Sequence, residues 1–121
     1  MVALEETDGL VVLRYLEPSQ PGDESAYLGA LERVGAQVAP FALILAFGGI
    51  GKLSPAAERA QALWFKRTRA DLDRLCRGLV IVRPGLEEAG ADVFRKLWRF
   101  PIRIAPNEAA ARMVAMREFD A

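Results

Sequence analysis

The chain has 121 residues, 52% of them apolar, with 16 basic and 16 acidic side chains and no net charge. That length fits one domain, and that apolar content excludes a disordered chain. One cysteine, Cys76, and no histidine exclude a disulfide framework, thiolate–imidazole zinc sites and Ser–His or Cys–His nucleophile pairs.

The first element is a hairpin. Val2 to Glu6 alternates weakly, Thr7-Asp8-Gly9 supplies the turn, and Leu10 to Leu16 follows as a β-branched, apolar strand. Pro18-Ser19-Gln20-Pro21-Gly22 is a loop by composition, and Asp23 is placed to cap a helix. Tyr27, Leu28, Leu31, Val34 and Val38 recur at helical spacing until Pro40. Phe41 to Phe47 has no polar residue, as expected of a central strand covered on both faces. After a glycine-rich turn, Ser54-Pro55 predicts a helix start, with the helix running to about Leu75 and ending at Gly78. Its core-facing residues are Ala57, Ala60, Trp64, Leu72 and Leu75.

Leu79 to Val82 reads as another buried strand, and Leu86 to Trp98 as a helix with Leu86, Ala89, Val93, Phe94, Leu97 and Trp98 inward. Pro101 to Ala105 is a strand whose proline marks its start or a sheet edge. Asn107 caps a last helix, with Ala110, Ala111, Met113 and Val114 inward. The order ββαβαβαβα predicts a single α/β domain over residues 1–121. Its mixed sheet is mostly parallel, with an N-terminal antiparallel hairpin strand and helices packed on it.

The N-terminus is acidic and carries no secretory signal, so a cytoplasmic location is expected. The longest apolar stretch, Ala39 to Phe47, falls far short of the roughly 20 residues of a membrane span. Acids outnumber bases up to Gly35, and bases outnumber acids from Gly51 to Arg103, a distribution that suits an acidic partner. Zero net charge and the lack of a strand of stacking aromatics speak against nucleic acid.

Gly48 and Gly49 open the loop to Lys52, in the strand–loop–helix context of a phosphate-binding loop. The match fails where Ala46 replaces the first glycine and Leu53 replaces the magnesium-holding hydroxyl. Gly48 and Gly49 are then turn residues. Ser54 has two readings, a helix N-cap and a phosphorylation switch. Cys76 reads as a buried core thiol. Trp64, Phe65, Trp98 and Phe100 exceed what two helices on a small sheet must bury, which allows a homodimer. Phe65 follows Trp64 directly and cannot share its face, so it is the expected exposed or interface aromatic.

Three stretches carry a family resemblance: Phe41–Phe47 leading to Ser54; Phe65-Lys66-Arg67 through Leu79-Val80-Ile81-Val82; and Pro101-Ile102-Arg103-Ile104 followed by Asn107-Glu108-Ala109-Ala110-Ala111-Arg112-Met113. Together with the element order they resemble the STAS domain of bacterial anti-sigma-factor antagonists, and most of all its SpoIIAA-like branch. Regulatory members carry an Asp-Ser pair before a glycine at the switch, where this chain has Leu53-Ser54-Pro55. The SpoIIAA-like branch commonly lacks the switch. The resemblance implies a regulatory role through protein–protein interaction, or binding of a small apolar or nucleotide ligand, without catalysis; no cofactor or metal is expected.

The first functional expectation is therefore a non-catalytic interaction domain. Its partner-binding face would comprise Gly48, Gly49, Lys52, Ser54, Phe65, Lys66, Arg67 and Arg69, and its partner would be a protein with an acidic surface. The second is a small-ligand binder. A dry pocket lined by Trp64, Leu97 and Trp98 favours it, and a filled core disfavours it.

Overall fold

The computed structural model describes residues 1–49 and 53–120. The elements are β1 (Val2–Thr7), β2 (Leu10–Leu16), α1 (Asp23–Gly35), β3 (Phe41–Gly48), α2 (Pro55–Leu75), β4 (Cys76–Val82), α3 (Glu88–Arg95), β5 (Ile102–Ala105) and α4 (Glu108–Glu118). The order is the predicted ββαβαβαβα. Five strands form one sheet in the order β1-β2-β3-β4-β5, with β1 antiparallel to β2 and all other pairs parallel. In the opening hairpin, Thr7 pairs with Leu10 and both turn residues, Asp8 and Gly9, take positive φ, as a two-residue turn requires.

Strand order that follows chain order makes every crossover step the same way, so right-handed connections put α1, α2 and α3 on one face. Alternation along the strands matches this. Val11, Leu13, Tyr15, Leu43, Leu45, Leu79 and Ile81 pack toward those three helices. Val12, Ala42, Ile44 and Val80 pack toward α4 on the other face.

The two faces are packed at different depths. Toward α4 the contact residues are small: Ala42 from the sheet, Ala111 and Ala115 from the helix. The helix backbone therefore lies close to β3 and β4. Gly78 belongs to this design, because a Cβ there would fall 2.4 Å from the Phe119 ring. On the opposite face Trp64, Phe41, Trp98 and Phe100 are large. There α2 leans on α1 and its backbone stands off the strands beneath it. The two helices cross where a Cβ on Gly35 would meet Thr68 Cγ2 at 2.7 Å and Trp64 Nε1 at 2.9 Å.

Several expected boundaries move. α1 stops at Gly35, where it abuts α2, and Val38 is 91% exposed rather than part of its core stripe. The N-cap of α1 is Gly22. The Asp23 carboxylate instead accepts from the Gln20 N–H and the Met1 ammonium, each at 2.8 Å, tying the start of β1 to the start of α1. α2 passes directly into β4 at Cys76, so Gly78 is a strand residue and ends no helix. α3 is only Glu88–Arg95, with Ala91 inward and Val93 out in solvent. Arg95 draws that helix together by reaching back to Glu88 and Asp92. α4 is rotated from its expected phase. Ala111, Ala115 and Phe119 are buried and Met113 is exposed; the two alanines let the helix lie close to the sheet, and Phe119 packs over Gly78. The Asn107 cap is as expected, accepting from the Ala110 N–H at 2.8 Å.

Candidate functional site

The parallel strands β2, β3 and β4 end near Tyr15, Phe47 and Arg83. There, in the space left by the stand-off of α2, lies a cavity of about 590 Å³. Its floor is Tyr15, Leu43, Leu45 and Phe47 from the sheet. Tyr27, Leu31 and Val34 of α1 form one wall, and Phe94, Leu97 and Trp98 form the opposite one. Gln61, Trp64 and Phe65 of α2 close it from above. The volume falls within the roughly 300–1,000 Å³ of small-molecule sites.

Two aromatic groups brace the chamber. Tyr15 and Tyr27 lie 5.2 Å apart between ring centroids, and Phe47 meets Tyr27 edge-on at 6.3 Å. At the other end Phe65 meets Trp98 edge-on at 5.1 Å, and Trp98 stacks on Phe100 at 5.3 Å. Such contacts hold the walls in place without filling the space between them.

The interior has little polar chemistry. The Tyr27 hydroxyl donates to Gln61 Oε1 at 2.6 Å. Burial, and then the neighbouring Tyr15, push its pKa up to about 12, so it remains a neutral donor. The indole N–H groups of Trp64 and Trp98 have no partner among the described residues. Among the described residues, charge reaches the cavity through Glu58, Lys66, Arg69 and Arg83, at its rim. This arrangement can enclose an apolar body, shield it from water and meet a polar end at the mouth.

The expected site residues divide. Phe65, Lys66 and Arg69 line the cavity. Phe65, expected as an exposed or interface aromatic, is half-buried against Trp98 and forms a wall of the chamber. Arg67 points elsewhere and pairs with Glu32 of α1. Trp64, Trp98 and Phe100 are buried within the chain.

Ser54 caps α2, accepting from the Ala57 N–H at 3.2 Å. Its own N–H and hydroxyl donate to the two Glu24 carboxylate oxygens at 2.7 and 2.8 Å, which lowers the Glu24 pKa. Gly48 ends β3 and its carbonyl accepts from the Glu17 N–H at 3.0 Å. Gly49 has φ +70°, and a Cβ there would lie 2.0 Å from Glu17 Cδ. Lys52 lies outside the described residues. Cys76 is buried and burial pushes its thiol up to about 12, the condition of an inert core cysteine.

Tyr15, Tyr27, Phe47 and Arg83 went unmarked in the sequence as site residues. Their signal is positional: Tyr15, Phe47 and Arg83 each fall at the carboxyl end of a strand in the parallel part of the sheet. Among the described residues no three His, Cys, Asp or Glu side chains gather as metal ligands, and no helix is long and apolar enough to cross a membrane. Comparison with family models, with curated proteins and with solved structures finds no match to this chain.

Proposed function

We propose that this chain is a non-catalytic α/β binding domain that holds a small apolar ligand between α2 and the sheet. The single observation that carries this reading is the cavity of about 590 Å³ at the carboxyl ends of β2, β3 and β4, lined among others by Trp64, Leu97 and Trp98. A filled core would have removed it. Among the described residues the interior offers an apolar surface and a neutral tyrosine, which suits binding of an apolar body. The resemblance of the element order to STAS domains, and to their SpoIIAA-like branch, supports a regulatory use of that binding inside the cell.

A second reading, a docking face for an acidic protein, is favoured by Lys66 and Arg69, which are exposed on α2 without a carboxylate partner among the described residues. It predicts that reversing both charges slows association with an acidic protein.

The ligand-binding reading is tested by titrating the protein with N-phenyl-1-naphthylamine, a neutral apolar fluorophore. Saturable one-to-one enhancement is expected. Ala62 is exposed on α2 and lines the mouth. Ala62→Trp is expected to weaken binding by roughly tenfold or more while leaving the melting temperature near that of the wild type. Absence of saturable enhancement by the folded wild-type protein would contradict the reading.

A further inference from the structure

The chamber is chemically lopsided. Its body is apolar, and among the described residues its mouth carries three cations, Lys66, Arg69 and Arg83, against one acid, Glu58. Lys66 and Arg69 stand three residues apart on one face of α2, and Arg83 comes from the end of β4. Like charges gathered around one opening repel, weakly in solvent, and a bound anion would relieve that repulsion. None of the three has a carboxylate partner among the described residues. By contrast Arg67, beside Lys66, is held by Glu32, and Arg95 of α3 is held by Glu88 and Asp92.

One of the three is also pre-positioned. The Arg69 guanidinium lies 5.9 Å over the Phe65 ring, and Phe65 is fixed by its edge contact with Trp98. A guanidinium resting on an aromatic wall loses less freedom when it binds an anion, and its planar fork suits carboxylate and phosphate oxygens.

We infer that the ligand is an anionic amphiphile, an apolar body with a carboxylate or phosphate head, and that Lys66, Arg69 and Arg83 hold the head at the mouth. This rests on the apolar-ligand reading above. The apolar body supplies affinity through buried area, and the head fixes orientation, so that the ligand enters tail first toward Leu43 and Val34.

The test displaces N-phenyl-1-naphthylamine with three molecules sharing one tail: decanoate, decyl phosphate and 1-decanol. At least one of the two anions is expected to compete at roughly tenfold lower concentration than the alcohol, a preference typical of charge-assisted hydrogen bonds at a partly exposed site. The stronger anion identifies the head. Lys66→Gln/Arg69→Gln/Arg83→Gln, at three exposed positions, is expected to erase that preference, so that both anions compete at about the same concentration as the alcohol. If the fluorophore binds but all three molecules compete equally, or if the triple variant keeps the preference, the head-group inference is overturned and the apolar reading stands. If the fluorophore shows no saturable binding to the folded protein, the apolar reading itself has failed.

Discussion

The Ser54 hydroxyl donates to the Glu24 carboxylate at 2.8 Å while accepting from the Ala57 N–H at 3.2 Å. One side chain thus caps α2 and pins it to the first turn of α1. Ser54→Ala is expected to cost about 1 kcal/mol of stability through the lost cap. Asp and Asn cap about as well as Ser, but only Asp would place a charge against Glu24. Ser54→Asp is therefore expected to be less stable than Ser54→Asn in urea denaturation, with the gap closing in the Glu24→Gln background. Equal stability of the two variants would show that the carboxylate contact carries no weight. The same repulsion would meet a phosphate on Ser54, so phosphorylation would act by parting α1 from α2.

Gly78 and Phe119 make a second tight pair. A Cβ on Gly78 would lie 2.4 Å from the ring. Gly78→Ala is expected to cost about 1–3 kcal/mol by overpacking, measured by urea denaturation. Phe119→Leu should recover part of that loss in the double variant. Strict additivity of the two changes would mean that ring and strand do not press on each other.

Stability should fall on the acid side and stay level near neutrality. Four carboxylates are held below their usual range. Glu5 accepts from Arg112, and Glu6 from Arg33 and Gln37. Asp23 accepts from the Met1 ammonium and the Gln20 N–H, and Glu24 from the Ser54 N–H and hydroxyl. Each contributes stability that is present above the unfolded pKa of about 4 and is lost as pH falls through the lowered folded value. With no histidine in the chain, the melting temperature should be nearly flat between about pH 5.5 and 7. Tyr27 and Cys76 have the opposite sign. Both are raised to about 12 by burial, so their contribution is whole below the unfolded values of about 10 and 8.5 and is lost as pH rises toward 12. A midpoint sloping steeply through pH 6 would contradict this assignment.

Cys76 is the one thiol in the chain, and its sulfur donates to the Gly78 carbonyl at 3.3 Å inside the core. Its alkylation by iodoacetamide at pH 8 should track global unfolding, with the rate rising across the urea transition. Fast labelling of the folded protein would place the thiol at the surface.

The fold was legible where local chemistry and hydrophobic period agree. Asp8-Gly9 specifies its turn, Ser54-Pro55 its helix start, and the unbroken apolar run from Phe41 its central strand. The misplaced boundaries follow from contacts between elements distant in sequence. α1 ends at Gly35 because α2 passes there, and Met113 faces solvent because Ala111 and Ala115 form the side of α4 that meets the sheet. The candidate site was half legible for the same reason. Trp64, Leu97 and Trp98 announce a large apolar wall. The space in front of them depends on α2 leaning on α1, which no periodicity encodes. The pairing of Arg67 with Glu32, which separates it from Lys66 and Arg69, likewise joins residues 35 positions apart.

The chain has two tryptophans, and both line the chamber. Their indole N–H signals in a nitrogen–proton correlation spectrum are therefore the most direct reporters of occupancy. Titration with N-phenyl-1-naphthylamine is expected to shift both indole signals and the amides of Leu43 and Leu45 in one saturable step, leaving the α4 amides around Met113 and Met116 unmoved. Indole signals that stay fixed while the probe binds, or shifts confined to α4, would contradict a ligand chamber between α2 and the sheet.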